Sequence, residues 1–219
     1  MITLFSRKKA NINSVKIPDF GWEKEKNNRN LLLWINPEQT IALSLHYFDL
    51  EPDLPSLKNV DVLRNFHRKS IAEQNGGLLQ VEFSLLKKYK AIKTIFKIPQ
   101  EPSGMVYLAS TTIPFKDCSY VIKIQAPEVG MTGLRDSVIA DRLIQEKIIS
   151  IGENGFENWM SDPYDSNFNK GTLMNKSEDE IFDKDFENHP LTKVRKMMAK
   201  IEKEIQFKSE LEKLEVFEK

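Results

Sequence analysis

The sequence predicts an α+β domain, an antiparallel sheet flanked by helices in the order ββαββββα, with an amphipathic helix after it. Three observations predict it. Apolar and polar residues alternate in several runs between positions 31 and 126, the period of a half-buried strand. The last four runs are joined by only a few residues, whereas parallel neighbours need crossovers of a dozen or more. Two stretches of helical spacing bracket those four runs, giving helices over a sheet.

The elements follow in order. Residues 1–29 are polar and irregular, with Trp22 as the one large anchor. Leu31 to Ile35 is an apolar run closed by the turn signal Asn36-Pro37-Glu38. In the next run Ile41, Leu43, Leu45 and Tyr47 alternate with smaller or polar neighbours, so the pair reads as a hairpin. Val60, Leu63, Phe66/His67 and Ser70/Ile71 recur at helical spacing. Asn59 or Asp61 can cap that helix and Asn75-Gly76-Gly77 end it. Four strands follow, around Leu79–Leu85, Ile92–Ile98, Met105–Ile113 and Ser119–Ala126. The loop Pro127–Gly133 then enters a second helix, with Thr132 as its expected N-cap and Val138, Ile139, Leu143, Ile144 and Ile148 as its apolar stripe.

Composition shifts after residue 150. Residues 151–189 read as an extended polar segment whose scattered rings (Phe156, Trp159, Tyr164, Phe168) pack back on the domain. Pro190 suits the first helical position, and apolar residues from Leu191 to Leu214 give an amphipathic helix over 190–219. The domain boundaries expected are therefore 1–29, 30–150, 151–189 and 190–219.

Charge and cysteine content narrow the function. Lys+Arg and Asp+Glu are both 32, which removes the bulk electrostatic argument for nucleic acid or an anionic membrane. The basic residues Arg7, Lys8, Lys9 and Lys16 lack interleaved aromatics and read as a solvated arm. Cys118 is the single cysteine and sits in an apolar run, so it reads as a buried thiol. Without paired cysteines, an N-terminal apolar segment or a membrane-length run, the expected compartment is the cytoplasm.

No residue set reads as a catalytic, cofactor or metal site. His46, His67 and His189 lack partners at metal-ligand spacing, and no nucleophile signature is present. Gly130 and Gly133 read as helix-entry geometry rather than a phosphate cradle. Asp162-Pro163-Tyr164-Asp165 reads as a turn, since a calcium loop needs more oxygen ligands at fixed spacing. Glu128, Thr132, Arg135 and Asp136 bracket the loop, either pairing to stabilise it or forming a recognition surface. The apolar stripe of the last helix, with Val194, Met198, Ile201 and Ile205, either docks on its own domain or receives a partner, including a second copy of the chain.

The hairpin with Trp34-x-x-Pro37, the helix with Leu63-Arg64, the Gly76-Gly77 turn, four antiparallel strands and a closing helix together resemble the PsbP-like α/β/α fold, named for an extrinsic protein of photosystem II. Glu128-Val129-Gly130-Met131-Thr132-Gly133-Leu134-Arg135-Asp136 is similar to a loop of bacterial members. So is Phe186-Glu187-Asn188-His189-Pro190-Leu191-Thr192-Lys193-Val194-Arg195. The likeness covers about residues 30–150 well and the tail weakly. It departs from plant and yeast members in lacking a transit peptide and in carrying the C-terminal extension. The resemblance implies a non-enzymatic binding or accessory role and transfers no catalytic residue. The expected function is a protein-binding module of the bacterial adaptor or immunity type. Two alternatives are a hydrolase or lyase with a dispersed site around Glu128, Arg135 and His46, and a small-ligand carrier using the space between sheet and helix.

Overall fold

The computed structural model describes residues 10–218; residues 1–9, with the basic Arg7, Lys8 and Lys9, lie outside the described residues, as does Lys219. Seven strands form the main sheet: β1 Glu23–Asn27, β2 Leu31–Ile35, β3 Ala42–Phe48, β4 Gly77–Leu86, β5 Tyr89–Pro99, β6 Met105–Pro114 and β7 Ser119–Pro127. Their order across the sheet is β1-β2-β3-β7-β6-β5-β4, every pair antiparallel. The helices are α1 Val60–Glu73, α2 Leu134–Gln145 and α3 Pro190–Glu204. The expected α+β class and strand arrangement are observed, with one strand more than the alternation indicates.

That extra strand is β1. Its sequence Glu-Lys-Glu-Lys-Asn is exposed along its whole length, so no apolar alternation marks it. Charged residues suit an edge strand because they discourage pairing with other chains. Lys24 lies 5.3 Å from the Trp34 ring centroid, which ties the edge to the sheet. The opposite edge is also guarded. The Val81 amide donates to the Tyr164 hydroxyl at 3.0 Å, and Arg64 donates to the Val81 carbonyl at 3.4 Å.

The core has two unequal faces. On one face Leu43, Leu45, Ile95, Ile122 and Ile124 meet Leu191, Val194, Met197, Met198, Ile201 and Ile205 of the C-terminal segment, all buried. Cys118 is buried in the same cluster. On the other face α1 lays Leu63 and Ile71 over Val81 and Ile92. Phe217 joins that second cluster, so the tail crosses from one face of the sheet to the other.

Of the two alternatives for the apolar stripe of α3, the chain's own sheet fills it: Val194, Met198, Ile201 and Ile205 are buried in the core. Three expectations change. Helix α3 ends at Glu204, because Gln206 and Phe207 pair with Lys16 and Val15 as a short ribbon and Ser209–Lys213 turns as a 3-10 helix. Helix α2 does not lie on the sheet: Ile139, Ala140 and Leu143 pack against Trp159, Phe182 and Phe186 of the tail, while Val138 and Ile148 are exposed. Residues 151–189 hold a hairpin of Ser150–Gly152 with Gly155–Glu157, and a ribbon of Met160–Ser161 with Met174–Asn175.

The caps follow the sequence in part. Asn59 Oδ1 accepts from the Asp61 and Val62 amides, and His189 caps α3 ahead of Pro190. Thr132 does not cap α2; Gly133 holds that position at φ +70°, a backbone setting that favours glycine.

Candidate functional site

The loop from Pro127 into α2 carries the candidate site, and its side chains divide by direction. Glu128 turns inward. One carboxylate oxygen accepts the Met105 amide at 2.9 Å, and the other accepts the Gly133 amide at 3.3 Å. The His189 ring lies 3.2 Å from the latter oxygen through Nε2. Because the Leu191 amide donates to His189 Nδ1 at 3.3 Å, the ring proton sits on Nε2 and points at Glu128. Gln100 Nε2 donates to the Glu128 carbonyl at 2.8 Å, and Thr132 pairs with Ser103 through their hydroxyls at 2.9 Å. Both ends of the loop are thereby fixed to the sheet and to the start of α3.

Burial alone would raise the Glu128 carboxyl, but the His189 ring and the two backbone amides outweigh it and hold the group below its ordinary value of 4.5. A carboxylate with a depressed folded value stabilises the fold above its unfolded value, and that contribution disappears as pH falls through the folded one. We therefore expect Glu128→Gln to lower the urea midpoint at pH 7. The gap from wild type should narrow as pH drops below about 4.5; a gap that stays constant with pH would contradict this assignment.

Arg135 is also turned inward, its side chain fully enclosed. It donates to the Ser177 carbonyl at 2.7 Å, the Asp179 carbonyl at 2.9 Å, Asp183 at 2.9 Å and the Thr192 hydroxyl at 3.1 Å. Asp136 accepts from Asn175 and from Ser177. The two residues bind α2 to the tail. Deeper in the same junction, Lys97 Nζ, the Tyr107 hydroxyl and the Asn175 amide all donate to Glu178, at 2.7, 3.1 and 2.8 Å. Burial, followed by the charge of Glu178, pushes the Tyr107 hydroxyl far up, so it remains a donor.

What faces outward is apolar. Val129 is 61% exposed, Met131 77%, Leu134 48% and Val138 49%. Leu134 and Val138 stand one turn apart on α2 and so share a helix face. Next to them a cavity of about 430 Å³ runs between the loop and the start of α3, with Phe186, Pro190 and Lys193 on its far side. These side chains form an exposed apolar patch beside the concavity.

Of the two roles open in the sequence, the geometry gives these residues the pairing one: Glu128, Arg135 and Asp136 are clamps, and Thr132 is a tie. The exposed face belongs to residues interleaved with them. Arg135 and Glu128 line this cavity, whereas His46 lines another, so the three are not assembled into one centre. Among the described residues no group of three or more His, Cys, Asp or Glu is placed to hold a metal ion, and no helix is long and apolar enough to cross a membrane.

Comparison with known proteins adds only a distant likeness. The chain matches no family profile and no curated protein. A crystal structure from Bacteroides thetaiotaomicron is similar at a TM-score of 0.33 and 8% identity; the overlap covers 50% of this chain and 37% of that one, so this chain spans well under half of it. The Saccharomyces cerevisiae Ran-binding protein Mog1p is similar at a TM-score of 0.41 and 13% identity, over 66% of this chain and 90% of that one. Likeness at this level transfers no role.

Proposed function

We propose that this chain is a non-catalytic protein-binding module, of the bacterial adaptor or immunity type, which receives its partner on the outer face formed by Val129, Met131, Leu134 and Val138. The observation that supports this reading is their joint exposure on α2 and on a loop that six hydrogen bonds and pairs of Glu128, Gln100, Thr132 and His189 hold still. A preorganised surface loses little conformational entropy when a partner docks. On its order of elements, and on the resemblance of residues 128–136 and 186–195, we assign the chain to the bacterial PsbP-like branch.

Met131→Asp tests the reading. A surface substitution away from caps and core changes stability by about 0.5 kcal/mol or less, whereas a carboxylate in the centre of an apolar contact leaves an unpaired charge there. Wild-type protein recovered from its native cell should carry a stoichiometric second protein. The Met131→Asp variant should melt at the same temperature and come out alone. Equal recovery with both variants, or recovery of both alone across salt conditions, would refute the proposal.

A further inference from the structure

Helix α1 covers only part of its face of the sheet, over β4 and β5. The remainder is a cleft of about 490 Å³ between α1 and strands β2, β3, β7, β6 and β5, within the range of small-molecule sites. The strand register sorts its floor into two adjacent rows. One row crosses the sheet through Ser44, Lys123 and Ser110, which are mutual partners across β3, β7 and β6. The neighbouring row runs through Ala42, Gln125, Leu108 and Phe96, and Ile98 lies beyond it on the same face of β5, two residues along the strand. A polar strip thus borders one that is apolar apart from Gln125.

Charge in the cleft has one sign. Lys123 is its only fully charged lining residue, and no aspartate or glutamate lines it. In a chain with as many acids as bases that exclusion makes the polar strip an electropositive spot. Lys123 forms no ion pair among the described residues. Two imidazoles add polar capacity. His46 Nε2 lies 2.9 Å from the Ser44 hydroxyl. On the helix wall, His67 Nε2 is buried without a hydrogen-bond partner among the described residues. Native structures rarely leave such an atom unpaired, and water or a ligand is the usual partner. Burial lowers both imidazoles from their ordinary value, so each offers a neutral donor or acceptor.

We propose that this cleft binds a small amphipathic anion, its carboxylate against Lys123 and Ser44 and its hydrocarbon body over Leu108, Phe96 and Ile98. The site is separate from the apolar loop face and does not depend on its role. Decanoate, kept below its micellar concentration, and decanol are the probes, because they share a body and differ in head. In a 1H–15N NMR titration of the full chain, decanoate should shift the amides of Ser44, His46, Ser110 and Lys123 saturably, and decanol should bind more weakly. Lys123→Gln should weaken decanoate by about two- to fivefold, the range for an exposed charge pair, and leave decanol unchanged. Since Lys123 is exposed and forms no ion pair among the described residues, that variant should keep the wild-type spectrum away from the cleft. Equal affinity for the two probes, indifference of decanoate to Lys123→Gln, shifts confined to residues 129–138, or no saturable shift would each overturn the proposal.

Discussion

Replacing Glu178 with alanine is expected to cost about 3–5 kcal/mol, the usual loss when one partner of a buried ion pair is removed. Glu178 and Lys97 have side chains 1% and 2% exposed. Without the carboxylate, the Lys97 ammonium would stay enclosed with no counter-charge. The Tyr107 hydroxyl and the Asn175 amide would lose their acceptor as well. The same physics makes the double variant informative. Replacing a buried pair by apolar residues of similar volume is often neutral or stabilising, so Lys97→Met with Glu178→Leu should recover most of the loss. Urea unfolding of the two single variants and the double variant checks this. A double variant as unstable as Glu178→Ala would show that the pair itself is not the source of the cost.

Arg135 carries the second large effect. Its guanidinium is enclosed and spends its donors on two carbonyls, a carboxylate and a hydroxyl, all in residues 177–192. Arg135→Met should destabilise by about 3–5 kcal/mol, or roughly 10 °C in melting temperature for a chain of this size. Arg135→Lys should recover little, because an ammonium cannot present the planar fork that reaches several acceptors together. Asp183 also accepts from Arg195 at 2.9 Å, so part of its charge stays compensated in the variant. Thermal melts that leave Arg135→Met within 1 °C of wild type would contradict the clamp role.

These two residues show where sequence ceases to be legible. The six strands from Leu31 to Pro127 could be read because each carries buried apolar residues in an alternating or continuous run. β1 could not, because an exposed edge strand has no apolar residues to alternate. The stripe of α3 was equally plain in sequence, but whether it met its own sheet or a partner depended on the tail's path. That path is set by buried polar contacts such as Lys97 with Glu178 and Arg68 with Asp162, the latter at 2.9 and 2.7 Å. Partners 81 and 94 residues apart leave no mark in local spacing. One signal was available: Asn175-x-x-Glu178 has the form of a capping box, and the structure contains it. In the loop, the sheet and the helix starts offer amides and a ring N–H to Glu128, which turns it inward, while Met131 is left 77% exposed.

The outward apolar face of that loop is the centre of the account, and a photo-crosslinking amino acid placed at position 131 tests it most directly. Position 85 serves as the control, because Leu85 is 65% exposed and stands on the far edge strand β4. After irradiation in the native cell, the label at 131 should give one discrete heavier band containing a second protein, and the label at 85 should give none. Adducts of equal yield at both positions, or no adduct at 131, would contradict the account.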